Sequence, residues 1–557
     1  MRPRAWSAQT LCLAALPWVV VPCAWLWYAF DSGDGFLQPG YACELPLLAL
    51  AVLAMLMRPM QWHAALVPLL LALAWLGAAQ WWNPVPEIGM LTVALRGAAV
   101  VAAIGWMAWL QRRFDAHALP MACGWAGLGI LALTAATQCE PGASMRIGQP
   151  APFGNVNYSV HLAMPLLAIS VAYDLRKTAR RALVLGLCGA GLATILGAGI
   201  ISGDTCRASW LGMVSAVWAV LLLRCPRRWH AGLAIMTGVA LVAGWAASFM
   251  GGLDPARFDW GVAQRIYMWR ASVEALADPA IITGYGASSC LAVLPDQPSF
   301  QGFWLTLPGW TSHPHNEALS VLLDGGIIFA GFLVWALLIT LVPLWKRRDE
   351  PLCAALLVGW FVLACGAMVE THLREPGGML VLALICGMSW AHAPSPSRAF
   401  AAPRWLLAVP TCLLALCVGG ELIGDGGPAK AVVGRARARV EALPVDDHRG
   451  RQAELERLRR RVGALDDLDY HLSVALGSQG RLMESMAILA SQLRRMPCYA
   501  PGIALAGRML AMGVASPPLR EAHAEALRLA SGWLERVPEN ERNREARRAL
   551  QTAISMP

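Results

Sequence analysis

The stretch TSHPHNEALSVLLDGGIIFAGFLVWALLITLVPLWK, residues 311–346, joins a short polar entry to a long apolar run. As a helix, the run that begins at Glu317 is long enough to cross about 30 Å of hydrocarbon. Asn316 is a preferred N-cap residue, and the carboxylate of Glu317 suits the first turn, where the helix dipole favours negative charge. The pattern therefore predicts a membrane-spanning helix with ionisable side chains at its mouth.

The whole chain shares this apolar character. Of its 557 residues 57% are hydrophobic and 15% are charged, and the mean hydropathy is +0.49. A chain this long and this apolar is not one soluble core, so we expect an all-α polytopic membrane protein. Apolar runs of spanning length predict about thirteen transmembrane helices. They lie near 9–30, 41–57, 61–80, 88–110, 119–137, 157–173, 182–201, 208–224, 229–250, 317–345, 351–369, 377–392 and 402–420.

The loops between these runs predict the orientation of the chain. Lys and Arg collect in alternate loops, for example at Arg112–Arg113, Arg180–Arg181 and Lys346–Arg348. Basic loops face the cytoplasm, so the N-terminus is expected inside and the C-terminal tail outside. The predicted organisation is spans 1–9 over 1–250, a large outer loop over 251–316, spans 10–13 over 317–421, and an outer helical domain over 422–557.

The outer tail is a different kind of sequence, rich in Arg, Glu, Ala and Leu at helical spacing. Residues 470–506 predict two helices joined by a turn at 477–480, which is typical of a tetratricopeptide-like unit. One such unit does not establish an array. A docking module and a plain helical domain are therefore both left open.

Several arginines lie on the predicted outer side, where the charge rule does not account for them. Arg207 begins the eighth span, and Arg265 and Arg270 flank Trp269 on a predicted helix of the large loop. A guanidinium is always charged and its planar fork matches phosphate oxygens, so these residues are candidates for binding a phosphate or diphosphate. Anchoring at lipid headgroups is the alternative for each of them.

His315 is the candidate for proton chemistry. An imidazole has a pKa near 6.5, so it can accept a proton from a hydroxyl at neutral pH. Pro314 holds His313 in extended backbone and leaves His315 and Asn316 at the helix entry. The alternative is a turn and a helix cap without chemistry. Asp324 lies two turns beyond Glu317, and the glycines at 325 and 326 permit close approach of another segment.

Two classes of ligand are not expected from the sequence. It contains no CxxC pair and no His/Cys cluster at zinc spacing, so we predict neither a metal nor a cofactor. The net charge of +9 lies largely in the alternating loops, and no basic run is interleaved with aromatics. A nucleic-acid partner is therefore not expected.

Four patterns occur in one order along residues 150–335. They are Phe153-Gly-Asn155-Val-Asn157, Arg207-x-x-x-Leu211, Arg265-Ile-Tyr-Met-Trp269 followed by Asp278-Pro and Gly284-Tyr-Gly286, and His315-Asn316 followed after nine residues by Gly326. Together they resemble the signature of the Wzy-C superfamily of O-antigen ligases, O-antigen polymerases and bacterial O-oligosaccharyltransferases. The extra helical tail and the form His313-Pro-His-Asn-Glu317 are most similar to the PglL-type protein O-oligosaccharyltransferases.

The resemblance implies a GT-C-like membrane fold in the bacterial inner membrane, with the active site and the tail in the periplasm. It implies metal-independent, inverting transfer of a glycan from undecaprenyl diphosphate to an acceptor hydroxyl. Carried over by position, Arg207 and Arg265 would bind the diphosphate and His315 would be the base. Second-tier candidates for substrate binding are Arg270, His313, Asn316, Glu317, Asn157 and Trp269.

The tail favours an exported Ser/Thr protein such as a pilin as the acceptor. Lipid A core (an O-antigen ligase) and a growing glycan (an O-antigen polymerase) stay open. A transporter or lipid flippase with a periplasmic accessory domain is the alternative from another class. Arg96 within the fourth span favours it, because charges inside a bilayer often mark transport pathways. No repeated halves of the kind common in transporters are evident in the sequence.

Overall fold

The computed structural model describes most of the chain outside its N-terminal segment, several loops and a stretch before the tail. The described residues are 51–52, 63–113, 118–137, 156–177, 179–198, 206–224, 232, 260–277, 279–300, 313–374, 376–392, 408–409, 411–412, 415, 440, 442–444, 446–462, 468–514, 516–535 and 544–555. Every regular element within these ranges is helical.

The apolar part of the chain contributes nine of the helices described. They are α1 Leu66–Ala78, α2 Pro86–Arg113, α3 Ala118–Thr137, α4 Val156–Lys177, α5 Ala179–Gly197, α6 Arg207–Arg224, α10 Glu317–Lys346, α11 Pro351–Ala367 and α12 Pro376–His392. The large loop contributes α7 Trp260–Leu276 and the short turns α8 Ala280–Thr283 and α9 Cys290–Val293. The tail contributes α13 His448–Val462, α14 Leu468–Ser478, α15 Leu482–Arg495, α16 Ala500–Ala511, α17 Pro517–Leu534 and α18 Arg544–Ser555.

Five of the described helices are long and apolar enough to cross a membrane: α3, α4, most of α5, α6 and α10. Shorter apolar helices lie at Leu66–Trp81, Thr92–Met107, Pro351–Ala367 and Gly377–His392. The chain is thus an all-helical polytopic membrane protein. The predicted span at 9–30, and most of those at 41–57, 229–250 and 402–420, lie outside the described residues, so the count of thirteen stays a prediction.

The chain divides into two compact units. The first takes its described residues from Met1–Trp75, Leu91–Thr237 and Ala330–Pro428, and the second from Leu76–Met90, Gly238–Phe329 and Ala429–Pro557. The predicted domain limits at 250, 316 and 421 stay a prediction.

The first unit is built around α4. Most of this helix is buried, from Tyr158 to Asp174 with the exception of Val171. Glycines on four neighbouring helices lie against it, at positions where an added Cβ would come within 3 Å of an α4 atom. They include Gly127 on α3, Gly189 on α5, Gly212 on α6 and Gly359 on α11. Small residues let helix backbones approach closely in a membrane protein, which explains how α4 is surrounded so tightly.

In the second unit the tail helices pack as the spacing predicts. Helices α14 and α15 form a hairpin, and Gly480 in its turn has a positive φ of 76°. The hydroxyl of Ser473 bonds to the Ser485 carbonyl at 2.9 Å, and the hydroxyl of Ser485 donates to the Ser473 carbonyl at 2.7 Å. A tetratricopeptide array stays a prediction.

A buried carboxylate ties three tail helices together. Asp469 on α14 is fully buried, with Oδ1 at 2.8 Å from Nε of Arg459 on α13 and Oδ2 at 3.6 Å from Nη2 of Arg495 on α15. Both guanidiniums lose this shared carboxylate if Asp469 is removed.

Replacing Asp469 with Asn should therefore lower the free energy of unfolding of the tail by about 3 kcal/mol, because two facing cations lose the buried carboxylate that they share. Thermal unfolding of the purified protein, followed by hydrogen exchange of tail peptides, measures the change. The matched control is Glu484→Gln, which removes an exposed carboxylate bound to Arg481 at 2.6 Å. This control substitution should leave the thermal unfolding midpoint of the tail unchanged. Equal effects of the two substitutions would contradict the role given to Asp469.

Candidate active site

A turn at residues 284–289 lies against α10 in the second unit. The N–H of Tyr285 donates to the Leu323 carbonyl at 2.7 Å, and the N–H of Gly286 donates to the Asp324 carbonyl at 2.9 Å. The N–H of Ser288 donates to Oδ1 of Asp324 at 3.0 Å. Asp324 is fully buried. It therefore fixes the turn on α10 through both its backbone and its side chain.

The turn can bind there because α10 is kinked at Gly326. This residue has φ 65° and ψ −165°, which interrupts the helical hydrogen-bond ladder and frees carbonyls on the preceding turn. A Cβ at Gly326 would lie 2.2 Å from the carbonyl oxygen of Ile282. Gly284 also has a positive φ, 70°, and a Cβ there would lie 2.5 Å from the Gly325 nitrogen. Both positions require glycine, for conformation and for space.

The same turn also contacts α7, the helix that carries the loop arginines. The hydroxyl of Tyr285 donates to the Ala275 carbonyl at 2.8 Å. The Glu274 carboxylate accepts the N–H of Ser299 at 3.0 Å and also the Ser299 hydroxyl. These bonds hold the C-terminal end of α7 to the segment that follows it. The turn at 284–289 is thus hydrogen-bonded to both α7 and α10.

On α7, Arg265 and Trp269 lie one turn apart, and Arg270 lies about 140° around the helix from Arg265. Trp269 is 9% exposed, and both arginines are partly exposed. Arg265 therefore lies on the same side of α7 as a buried aromatic ring, and part of its surface is exposed.

The mouth of α10 has the predicted cap. Oδ1 of Asn316 accepts the N–H of Leu319 at 3.1 Å, and Asn316 is fully buried. Glu317 occupies the first turn of the helix. The predicted N-cap is confirmed, and it fixes the backbone immediately after His315.

His315 has a backbone conformation that is uncommon for a side chain of its size, with a φ of 49°. A non-glycine residue in this region costs of the order of 1–2 kcal/mol and marks a constrained site. Its ring lies 4.8 Å from the ring of His313, edge to face, with 62° between the planes. His313 is buried and His315 is partly exposed, so His315 is the more accessible imidazole.

In the first unit, Asn157 and Arg207 are brought close through Cys206. The Cys206 thiol donates to Oδ1 of Asn157 at 3.2 Å, and Arg207, an exposed residue, is the first residue of α6. Burial raises the pKa of the Cys206 thiol, which keeps it protonated as a donor. This bond joins the N-terminal ends of α4 and α6.

One turn further along α4, His161 stacks on His372, with 5.1 Å between ring centroids and 12° between planes. Gly366 provides the space, because a Cβ there would lie 2.7 Å from Nδ1 of His161. His372 is fully buried, and neither ring nitrogen has a hydrogen-bond partner among the described residues. Burial lowers the pKa of His372 well below its usual value, and the neighbouring His161 lowers it further. His372 is therefore neutral.

The structure thus groups the sequence candidates by unit. Arg265, Trp269, Arg270, His313, His315, Asn316 and Glu317 belong to the second unit, and Arg207 and Asn157 belong to the first. Sequence reasoning did not predict the bonds of Tyr285 and Asp324 or the stacking of His372. Among the described residues every cysteine is a free thiol, including Cys206, Cys290 and Cys498 on the predicted outer side, and Cys139 lies outside that part of the chain.

Comparison with known families identifies the central part of the chain. The O-antigen ligase family model, Wzy_C, matches residues 192–336. This chain carries an O-antigen ligase domain. The matched ligase domain contains Arg207, Arg265, the turn at 284–289, His315 and Gly326. Membership supports glycan transfer of the ligase or polymerase kind, with a lipid-linked donor, in a membrane. No curated protein matches the chain.

In the ligase domain, Gly326→Ala should lower the free energy of unfolding by about 2 kcal/mol or more, because the new Cβ meets a backbone carbonyl and the conformation is strained. Gly331 on the same helix is the matched control, since a Cβ there meets nothing within 4 Å. Gly331→Ala should be neutral or stabilise by up to about 1 kcal/mol. Thermal unfolding of both variants in the same detergent measures the difference. An equal change in stability for the two variants would contradict the requirement for glycine at the kink.

His372 predicts a pH dependence of stability. Its folded-state pKa is below the unfolded value, so the unfolded chain binds a proton first as the pH falls through about 6.5. Stability contributed by the neutral ring is present above that pH and is lost below it, at no more than about 1.4 kcal/mol per pH unit for one proton.

His372→Gln should therefore flatten the fall in stability between pH 7 and pH 5, measured as thermal midpoints across that range. The control His471→Gln removes an exposed imidazole from the tail. If the thermal midpoint of the His372→Gln variant falls with pH as steeply as that of the wild type, His372 is not the source of the pH dependence.

Proposed function

We propose that this protein transfers a glycan from undecaprenyl diphosphate to a serine or threonine hydroxyl of an exported protein. The transfer needs no metal and inverts the anomeric carbon. It takes place on the periplasmic side of the bacterial inner membrane, with the N-terminus in the cytoplasm and the tail in the periplasm.

One observation carries the proposal. The turn at 284–289 is hydrogen-bonded at one edge to α10, which begins beside His315, and through Tyr285 to α7, which bears Arg265. One turn is therefore hydrogen-bonded both to the helix that follows the proposed proton acceptor and to the helix that bears the proposed phosphate-binding cation. Catalysis by positioning requires such support, because small displacements of reacting groups reduce rates strongly.

The arginines serve the leaving group. As the bond between the anomeric carbon and the diphosphate breaks, negative charge grows on the phosphate oxygens, and a fixed guanidinium stabilises it. Arg265 is held near the middle of α7, and Arg207 begins α6. Arg270 is a second phosphate ligand. Trp269, the buried ring one turn from Arg265, is a second-tier candidate for substrate binding.

His315 serves the acceptor. The hydroxyl oxygen of the acceptor attacks the anomeric carbon, its proton passes to the imidazole, and the electron pair of the broken bond leaves with undecaprenyl diphosphate. Asn316 caps the helix immediately after His315, Glu317 lies in the first turn, and the buried His313 ring contacts the His315 ring edge to face. The single displacement accounts for inversion.

The helical tail favours a protein as the acceptor. Helices α13–α18 form an additional folded region, which transfer to a lipid acceptor would not require. Stacked helical hairpins commonly bind proteins. The second candidate acceptor is lipid A core, which the family description of an O-antigen ligase favours. Transport is disfavoured because that family transfers glycans.

The test is reconstitution of the purified protein with a defined undecaprenyl-diphosphate glycan and, separately, a pilin-like protein or lipid A core. We expect transfer to the protein in the presence of a chelator. His315→Ala should reduce kcat by about 10²–10⁴ while donor binding is retained, because it removes a base. The control His471→Ala should behave as the wild type.

The donor site is tested separately. Arg265→Ala and Arg207→Ala should weaken donor binding, and Lys should restore it only in part because the planar fork is lost. Arg508→Ala on α16 is the control for loss of one positive charge. Transfer to lipid A core alone would select the second candidate, and loss of donor binding in His315→Ala would assign that residue to the leaving group instead.

A further inference from the structure

In the second unit, one hydrophobic core joins the helical tail to the segment between α1 and α2 and to the large loop. Val85, in the short segment between α1 and α2, is 2% exposed and lies in a cluster with tail residues. These are Leu455 and Leu458 of α13 and Leu468, Leu472, Ala475 and Leu476 of α14. Ala292 of the large loop packs against the same cluster. The core of the tail is therefore completed by residues from two distant parts of the chain.

The segment that carries Val85 is also fixed to the turn at 284–289. Asn83 is 7% exposed, and its Nδ2 donates to the Ala287 carbonyl at 2.8 Å. The Trp82 indole donates to the Gly284 carbonyl at 3.0 Å. A Cβ at Gly286 would lie 2.5 Å from Cβ of Asn83, so the two segments are in direct contact.

Asn83 and Val85 act as one element. Oδ1 of Asn83 accepts the N–H of Val85 at 2.9 Å, and its Nδ2 also donates to Oε1 of Gln80 at 2.6 Å. Pro84 and Pro86 flank Val85 and restrict the backbone. A displacement of Val85 is therefore expected to move Asn83 as well, because the segment between them has little conformational freedom.

A continuous series of contacts therefore leads from the tail to the helix of the candidate base. It runs from the α13–α14 core through Val85 and Asn83 to the turn, and from the turn to Asp324 on α10. Helix α10 begins beside His315. Each contact joins buried groups, and each is a hydrogen bond or an apolar contact within one unit.

We propose that helices α13 and α14 are a positioning element of the ligase domain, with Val85 and Asn83 as the positioning residues that hold the turn at 284–289 on α10. The effect on catalysis rests on the proposed function, because it acts through His315 and Arg265. The hold on the turn itself is a structural property that does not depend on the substrate.

A tail that serves only to dock a partner predicts something different. In that case the core around Val85 could loosen without any effect on the turn, and glycan transfer to a small hydroxyl acceptor would be unchanged. The amides of Tyr285, Gly286 and Ser288 separate the two cases, since all three are donors to α10.

The experiment uses the full chain in lipid nanodiscs and measures hydrogen exchange in the peptide that contains residues 284–289. The variants are Leu472→Ala, Val85→Ala and Asn83→Asp. The matched control is Val474→Ala on the same helix as Leu472, because Val474 is 39% exposed and Leu472 is 1% exposed. Exchange of the turn amides should rise by at least about 10-fold in the three variants and stay at the wild-type rate in the control.

The kinetic arm uses the undecaprenyl-diphosphate glycan with a hydroxyl acceptor. In Asn83→Asp, kcat should fall by about 10-fold, with KM for the donor within about 2-fold of the wild type, because the side chain that donates to the turn is lost while the arginines proposed to bind the donor are unchanged. Asn83→Asp leaves the tail core intact, so it remains informative if Leu472→Ala fails to fold.

Faster exchange in α14 of Leu472→Ala with unchanged exchange in the turn would overturn the proposal. Unchanged turn exchange in Asn83→Asp would overturn it as well. If turn exchange rises as expected but the wild-type protein transfers no glycan, the positioning element stands and the proposed function is wrong.

Discussion

The ligase domain depends on two carbonyl groups that α10 does not use for itself. Gly326 interrupts the helix, and the carbonyls of Leu323 and Asp324 accept the N–H groups of Tyr285 and Gly286 instead. Buried backbone acceptors must find partners, so the kink and the turn require each other. In a straight α10, these carbonyls would accept N–H groups of the helix itself, and the N–H groups of Tyr285 and Gly286 would lose their acceptors. The turn would then no longer connect α10 to α7 through Tyr285.

Much of this could be predicted from local pattern. The apolar runs gave helices where the structure describes them, and the cap at Asn316 follows from residue type alone. The glycine pair at 325–326 predicts a place of close approach, and at Gly326 the structure confirms it, because a Cβ there would meet the backbone of Ile282 and Thr283. Asp324 was placed on one face with Glu317, but its role as a buried acceptor for Ser288 was not predicted.

What the sequence could not provide is contact between distant residues. Asn83 and Ala287 lie 204 positions apart, and His161 and His372 carry no local signal of their stacking. Helical periodicity identifies a buried face but not its partner. Val85 is one valine between two prolines, and only the folded chain reveals that it completes the core of helices near the other end of the sequence.

That shared core has a consequence for biosynthesis. Val85 emerges from the ribosome early, whereas Leu455, Leu472 and Leu476 follow only after the ligase domain has been translated. The membrane helices can insert in order, but the apolar pocket around Val85 stays uncovered until the late helices reach it. A nascent chain that stalls before the tail therefore leaves Val85 without the apolar side chains that bury it in the folded protein.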